Sequence, residues 1–252
     1  MMSVGHITTE TAARIGPLRV ERASFAQARD RIVAALEGGT PLLVAFCNAH
    51  TAQLAFADPS FARLLEDMLV LNDGIGIELA ARALEGRGFP ANLNGTDFVP
   101  ALLAAIHRPL RIYLLGARPA VVARAAEILA RRHSAHRIVG FRDGYFDDAA
   151  LPAIAGEIAA ARADLLLCAM GDGRQQRVMA ALGPQAGLRV LMGVGALFDF
   201  LSQAVPRAPL PVRRMRMEFL WRLAREPRRL GRRYTVELVR FLLAVARLRF
   251  AR

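Results

Sequence analysis

Apolar runs alternate with helical patterns along most of the chain. Six continuous apolar runs read as strands, at residues 41–48, 67–73, 110–116, 137–144, 164–171 and 188–195. Helical patterns precede or follow them, at residues 25–36, 75–84, 119–132 and 151–163. Continuous apolar strands that alternate with helices of this length are typical of a parallel sheet covered on both faces. The pattern therefore predicts an α/β fold.

Three of the predicted strands end in glycine-rich corners, at residues 73–76, 171–173 and 193–195. Ligands of open α/β sheets bind beyond the carboxyl ends of the strands. Glycine lets a ligand approach the backbone, and a following helix N-terminus offers N–H groups to phosphate. The three corners favour a nucleotide or sugar-nucleotide site, although glycines that merely form tight turns are the alternative.

A nicotinamide site fits the corners poorly. Neither 74–79 nor 193–198 contains the third glycine of the GxGxxG fingerprint. The acid expected about 20 residues later should end a strand, whereas Asp97 lies in the loop-like sequence NGTDF. The sequence thus disfavours an oxidoreductase.

Charge and cysteine usage narrow the class of protein. All 34 basic residues are arginines, and the net charge is +12. Residues 207–252 hold fourteen arginines and three glutamates, so residues 1–206 are close to neutral. Cys47 and Cys168 lie in apolar runs, which predicts buried thiols in a reducing cytosol. The N-terminus lacks the pattern of a secretory signal, so we expect none.

The arginine-rich segment 207–252 has an amphipathic pattern of its own. Pro227 divides it into two helical pieces. In the second piece, one face can hold the apolar side chains Val236, Val239, Leu242, Leu243 and Ala246. The longest uncharged stretch there, 241–246, is far short of the ~20 residues that cross a bilayer.

Basic helices with an apolar face lie on anionic membrane surfaces, and this is the predicted role of the segment. A helical hairpin packed on the core, with a solvated arginine face, is one alternative. A nucleic-acid-binding tail is another, but aromatic residues are not interleaved for base stacking. The predicted organisation is thus a core at 1–206 and an appendage at 207–252.

Ordered motifs run from residue 41 to residue 234. They are CNAHT (47–51), NDGIGIELAARAL (72–84), NGTDF (94–98), YLLGARP (113–119), GYF (144–146), AMGDGRQQ (169–176), GVGALFDF (193–200), RAP (207–209) and EFLWRLAREPRRLGRRY (218–234). Together and in this order they resemble the WecG/TagA/CpsF family of bacterial glycosyltransferases. NLNGTDFVPA is most similar to the branch that adds glucose during assembly of xanthan-like or acetan-like exopolysaccharides.

The resemblance implies an inverting transferase that needs neither a metal nor a cofactor. It would move a sugar from a UDP donor to a polyprenyl-diphosphate-linked sugar, as a peripheral protein on the cytoplasmic face of the inner membrane. The implied fold is a Rossmann-like sheet with helices on both faces and a C-terminal helical membrane-binding appendage, with homo-oligomers as a further expectation and no nucleic acid as a partner. Transfer of N-acetylmannosamine or its uronate is the alternative within the family. A basic nucleotide- or nucleic-acid-binding module is the alternative of another class.

Asp73 is the candidate catalytic residue. An inverting transfer needs a base that takes the proton from the acceptor hydroxyl, and such help contributes typically 10²–10⁴-fold. A carboxylate at a strand end can lie beside the donor diphosphate, and the resemblance assigns the family's proposed base to this position. The alternative is a helix N-cap.

The resemblance also implies a set of substrate-binding residues. Asn48 and Gln175 match family residues near the sugars. Thr96 and Asp97 either contact substrate or cap a helix. Tyr145 is a candidate for stacking on uracil and Asp199 for bonding the ribose or base, with turn and cap roles as alternatives. Cationic side chains must offset the charge on the departing UDP, and the candidates in the matched C-terminal stretch are Arg222, Arg228 and Arg232.

The chain departs from the family pattern at three places. Phe46 stands where the family often has Thr, and Asn92 stands where it often has Arg. Residues 171–176 read Gly-Asp-Gly-Arg-Gln-Gln in place of Gly-Ser-Pro-Lys-Gln-Glu. These differences bear on the identity of the two sugars more than on the type of reaction.

Overall fold

The computed structural model describes residues 11–250 except 172, 210–211, 213–217, 226–230 and 232. The strands are β1 (Ala12–Ile15), β2 (Leu18–Glu21), β3 (Leu42–Cys47), β4 (Leu69–Asn72), β5 (Arg111–Gly116), β6 (Arg137–Arg142), β7 (Leu165–Ala169) and β8 (Val190–Gly193). The helices are α1 (Phe25–Glu37), α2 (Ala49–Ala57), α3 (Pro59–Glu66), α4 (Ile75–Glu85), α5 (Gly95–Ala105), α6 (Pro119–Arg132), α7 (Leu151–Ala160), α8 (Arg174–Leu182), α9 (Leu197–Leu201), α10 (Glu218–Arg225) and α11 (Leu238–Phe250).

The eight strands form a single sheet in the order β1-β2-β4-β3-β8-β7-β5-β6. Only β1 and β2 pair antiparallel among these strands, and every other pair is parallel. In the middle of the sheet, β8 pairs with β3 on one side and with β7 on the other. The predicted α/β fold with a parallel sheet is therefore confirmed.

Side chains of each parallel strand alternate between two apolar layers. On β3, Ala45 and Cys47 face one layer, which α2, α3, α4, α7 and α8 cover. Val44 and Phe46 face the other layer, which α1, α5, α6 and α9 cover. Burial on both faces explains why these strands read as continuous apolar runs rather than as alternating ones.

Each of the six predicted strands is present, shortened at its ends. The hairpin of β1 and β2 was not predicted, because four-residue strands that contain arginine give a weak apolar signal. Helices α2, α3, α8 and α9 were not predicted either, whereas a helix after NGTDF, the observed α5, was expected. No glycine or proline marks the start of α2, which begins directly after β3 with Asn48 as its N-cap. Only Asp58, the N-cap of α3, separates α2 from α3.

Helix α11 packs against α2 and α4 with one face. Phe241 and Val245 are buried in the same layer as those helices, and the Phe241 ring centroid lies 6.2 Å from that of Phe56. Just before α11, Glu237 pairs with His50 of α2 through Oε2 and Nδ1, 2.5 Å apart. The opposite face of this segment exposes apolar side chains, namely those of Val236, Val239, Leu242, Leu243 and Phe250.

None of the helices within the described ranges is both long enough and apolar enough to cross a membrane. This agrees with the short uncharged stretch of the C-terminal sequence. Membrane binding by residues 207–252 remains a prediction. The domain boundary at residue 206 also remains a prediction. Helix α11, at the end of the predicted appendage, packs on the core.

Candidate active site

A cavity of about 740 Å³ lies at the carboxyl ends of the parallel strands. Residues that follow β3, β4, β5, β7 and β8 line it, as expected for an open α/β sheet. Its polar and charged lining side chains are those of Asn48, Asp73, Thr96, Arg118, Tyr145, Arg174, Gln175 and Asp199. The fold therefore gathers six of the candidate residues, Asn48, Asp73, Thr96, Tyr145, Gln175 and Asp199, around one cavity.

Asp73 sits at the corner between β4 and α4. Its backbone N–H donates to the carbonyl of Cys47 at 2.8 Å, which fixes it to the end of the neighbouring strand β3. The N-cap of α4 is Gly74, with φ 84°, so the cap lies one residue beyond Asp73. The positive φ suits glycine and turns the chain sharply, which leaves the half-buried Asp73 at the cavity wall.

Asn48, whose alternative role is that of a turn residue after a strand, is the N-cap of α2 and also lines the cavity. Its Oδ1 accepts hydrogen bonds from the N–H groups of His50 at 2.9 Å and Thr51 at 3.1 Å. These bonds fix the amide at the start of α2, between the ends of β3 and β4. A role for Asn48 at the sugars remains a prediction.

Gln175 is only 1% exposed, and it ties two glycine corners together. Its Oε1 accepts a hydrogen bond from the N–H of Gly195 at 3.2 Å. A Cβ at Gly193 would lie 3.1 Å from the Gln175 side chain, so that glycine makes room for it. Gln176 holds the preceding turn, because its Oε1 accepts from the N–H of Gly173 at 2.8 Å.

Thr96 and Asp97 differ in where they lie. Asn94 is the N-cap of α5, so neither residue is the cap. Thr96 lines the cavity, whereas Asp97 is not among the described residues that do. Asp97 pairs instead with Arg207 at 2.7 Å, and Arg207 also pairs with Glu218 at 3.2 Å. The structure thus gives Asp97 an ion pair with Arg207, and a role of Asp97 in substrate binding remains a prediction.

The Asp97–Arg207–Glu218 group joins the core to the C-terminal segment. Burial alone would lower the pKa of Arg207, but its hydrogen bonds to Asp97 and Glu218 outweigh burial and raise that pKa above its ordinary value. The guanidinium also lies 5.4 Å from the ring centroid of Phe200, a residue of the cavity wall. Arg207 therefore stays charged and connects α10 to the rim of the cavity.

Tyr145 and Asp199 belong to different elements that meet at the cavity. Tyr145 follows β6 and is 74% exposed, and its N–H donates to Oδ1 of Asp143 at 2.9 Å in a tight turn. Asp199 is in the first turn of α9. Both line the cavity, so a flat base has an aromatic ring and a carboxylate available there.

Arg118 and Arg174 were not predicted, and both line the cavity. Arg118 is the N-cap residue of α6, and Arg174 is the first residue of α8. Arg174 donates to the carbonyl of Phe146, and its guanidinium lies 5.3 Å from that ring. Two arginines at helix N-termini suit a diphosphate. Each lies where a strand is followed by a helix, and this position could have indicated a phosphate-binding role. The abundance of arginine in the sequence concealed that indication.

The C-terminal arginine candidates are only partly described. Arg222 is in α10, but its side chain lies outside what the structure describes. Arg228 and Arg232 lie outside the described residues altogether. Their contribution to the diphosphate site remains a prediction.

Of the residues that depart from the family pattern, Phe46 is in the cavity wall and Asn92 lies just outside it. Phe46 lines it and is nearly buried, with its ring centroid 5.8 Å from that of Phe98. A Cβ at Gly95 would lie 2.9 Å from the Phe46 ring, so glycine allows the ring to seat there. Asn92 lies next to the Asp73 corner and accepts a hydrogen bond from the N–H of Gly74 at 2.8 Å.

The described residues contain no cluster of three or more His, Cys, Asp or Glu side chains that could hold a metal ion. Both cysteines are buried thiols, as predicted. Burial raises the pKa of Cys168 to about 12, so this thiol is not a nucleophile at neutral pH. Asp73 and Asp199 are thus the carboxylates that line the cavity among the described residues.

A parallel α/β sheet with arginines at helix N-termini around a cavity at its strand ends is typical of proteins that bind anionic ligands such as nucleotides. The family model "Glycosyl transferase WecG/TagA/CpsF family" matches residues 13–252. The chain belongs to this family and is a glycosyltransferase. The resemblance seen in the ordered motifs is therefore confirmed, whereas the xanthan/acetan branch stays a prediction.

Two relatives have names that state a reaction. A Bacillus subtilis (strain 168) protein is 29% identical over 199 residues, which cover 77% of this chain and 75% of the relative. A Bacillus spizizenii protein is 30% identical over 187 residues, which cover 72% of this chain and 70% of the relative. Both relatives are named N-acetylglucosaminyldiphosphoundecaprenol N-acetyl-beta-D-mannosaminyltransferase.

Proposed function

We propose that this glycosyltransferase moves a hexosyl group from a UDP-sugar to a polyprenyl-diphosphate-linked sugar, with inversion at the anomeric carbon. The observation that carries the proposal is the position of Asp73, on the cavity wall at the carboxyl end of β4. The names of the two relatives support a polyprenyl-diphosphate-linked acceptor, because each name states an N-acetylglucosaminyldiphosphoundecaprenol substrate.

The proposed chemistry is a single displacement. An acceptor hydroxyl attacks the anomeric carbon as its proton passes to the carboxylate of Asp73, and the bond from that carbon to the UDP oxygen breaks. The electron pair of that bond leaves with UDP. Arg118 and Arg174, at the start of two helices, offset the charge that develops on the diphosphate. Tyr145 and Asp199 hold the uridine in this arrangement.

Two donor sugars are candidates. The names of both relatives favour N-acetylmannosamine, with an N-acetylglucosamine acceptor. The motif NLNGTDFVPA (92–101) favours glucose. Phe46 gives the cavity an aromatic wall that has no hydrogen-bonding group to offer an acetamido substituent. The reaction is the same in both cases.

We further propose that the protein works as a peripheral protein on the cytoplasmic face of the inner membrane. Exposed Val239, Leu242 and Leu243 share α11 with Arg240, Arg247 and Arg249. An apolar face with flanking arginines suits an anionic lipid surface. Such a surface is where a polyprenyl-linked acceptor resides.

The test is a donor screen against short-chain polyprenyl-diphosphate acceptors that carry glucose or N-acetylglucosamine, with UDP release as the readout. The expected result is acceptor-dependent release from one hexose or N-acetylhexosamine donor, and a product of inverted anomeric configuration by NMR. Absence of release from every UDP-sugar, in protein that is shown to be folded, would overturn the proposal.

A further inference from the structure

The corner that carries Asp73 is held by side chains outside the cavity. Two consecutive backbone N–H groups donate hydrogen bonds at this corner. That of Asp73 donates to the Cys47 carbonyl at 2.8 Å, and that of Gly74 donates to Oδ1 of Asn92 at 2.8 Å. The first bond is part of the sheet edge. The second depends on one side chain, which is 18 residues away along the chain.

The segment that carries Asn92 is in turn fixed to the end of β4. Asn72 is fully buried, and its Nδ2 donates to the Ala91 carbonyl at 2.8 Å. The Asn72 carbonyl accepts from the N–H of Leu93 at 3.1 Å, and Leu93 is itself buried. Ala91 and Leu93, on either side of Asn92, are therefore both hydrogen-bonded to Asn72. These bonds hold the backbone at Asn92 in place, so its side chain is a fixed acceptor.

We propose that Asn92 is a positioning residue for the reaction, which sets the location of the Asp73 carboxylate through its bond to the Gly74 amide. This inference rests on the proposed function, because it takes Asp73 as the base. A base must come within about 2.6–3.2 Å of the hydroxyl proton it removes. Glycine with φ 84° has no side chain to restrict it, so the Asn92 bond helps to restrain its conformation.

The amide of Asn92 is also electrically neutral. An aspartate at position 92 would keep an oxygen acceptor for the Gly74 N–H and add a negative charge beside the corner. A nearby like charge disfavours the ionised form of a carboxyl group and raises its pKa. The other charged groups of the cavity are Asp199, Arg118 and Arg174, and they are unchanged by this substitution. The pair of variants Asn92→Ala and Asn92→Asp thus separates geometry from charge.

Asn92→Ala should lower kcat by about ten- to a hundredfold, because small misplacements of a reacting group cost that much, while KM for the donor changes little. Asn92→Asp should retain kcat at high pH. A base must be ionised to act, so activity falls as the pH drops through the pKa of Asp73. In Asn92→Asp this acid limb should move to higher pH.

Hydrogen exchange tests the bond without any turnover. The Gly74 amide should be protected in the wild-type protein and in Asn92→Asp, and should exchange at least about tenfold faster in Asn92→Ala. Asn94→Ala is the matched control, since Asn94 also accepts a backbone N–H, that of Asp97 at 3.0 Å, in the same segment. It should lower the Tm without changing exchange at Gly74 or the acid limb.

The two proposals fail in different ways. If the wild-type protein turns over but Asn92→Ala stays within threefold of it, or if the acid limb does not move in Asn92→Asp, the inference about Asn92 is wrong and the proposed function stands. An unprotected Gly74 amide in the wild type would also overturn the inference. If no UDP-sugar reacts with the folded wild-type protein, the proposed function itself is wrong, and the positioning role fails with it.

Discussion

The apolar surfaces of the core helices and of α11 are arranged differently. Helix α4 buries Ile77, Ala81 and Leu84 in one apolar layer, as most surface helices do. Helix α11 buries Phe241 and Val245 but exposes Leu242 and Leu243 on the opposite side. One apolar face of α11 thus contacts the core. The other is the face that we propose binds the membrane surface.

The largest expected effect breaks the inner contact. Phe241 is fully buried against α2 and α4, so Phe241→Ala should lower the free energy of unfolding by roughly 3–5 kcal/mol. Leu242→Ala, one residue along and 47% exposed, is the matched control and should change it by less than about 0.5 kcal/mol. Urea denaturation measures both. Equal losses for the two variants would mean that α11 does not pack as described.

The next effect concerns the cavity and leaves both contacts of α11 intact. Asp73→Asn should keep the fold and UDP binding but cut turnover by at least about 10²-fold, because the amide cannot accept the hydroxyl proton. UDP release and calorimetric binding of UDP measure the two properties separately. Activity within a few-fold of wild type in a folded sample would remove Asp73 from the mechanism.

A smaller effect breaks the outer contact alone. The double variant Leu242→Gln, Leu243→Gln should keep the stability of the wild type within about 0.5 kcal/mol, since both side chains are about half exposed. Co-sedimentation with vesicles that contain anionic lipid should fall severalfold, because the apolar face no longer enters the interface. Neutral vesicles provide the comparison. Binding equal to that of the wild type would exclude this face as the membrane contact.

The smallest expected effect is no change at all. Turnover should survive EDTA, because the proposed mechanism assigns the diphosphate charge to Arg118 and Arg174, which line the cavity, and not to a metal. The measurement is UDP release with and without the chelator, followed by addition of Mg²⁺ or Mn²⁺. Loss of activity that a divalent ion restores would contradict the assignment of that charge to arginine.

The apolar pattern predicts the buried strands, and the family resemblance predicts most of the polar residues that line the cavity. Strands buried on both faces read as continuous apolar runs, and their ends are marked by residues that differ sharply from the run, such as Asn48 and Asp73. Gln175 and Thr96 required the family resemblance, since a buried glutamine in a helix gives no local signal of its own.

What the sequence could not predict depends on contacts between distant residues. Asp97 pairs with Arg207, which is 110 residues away, and no local pattern indicates that pairing. Arg118 and Arg174 are two of 34 arginines, so residue type alone could not single them out. Hydropathy alone could not show which apolar face of α11 packs on the core, and the burial of Phe241 and Val245 in the structure identifies it.

The central position of β8 has a consequence for synthesis of the chain. Strands β1–β4 form one half of the sheet and β5–β7 the other, and β8 pairs with β3 and β7 to join them. Residues 190–193 are made after both halves, so a nascent chain holds two unjoined sheets with open edges until that strand leaves the ribosome. Pairing of Leu43 with Leu191 also spans most of the chain, which slows folding. The cavity, whose walls come from both halves, is therefore among the last parts of the molecule to form.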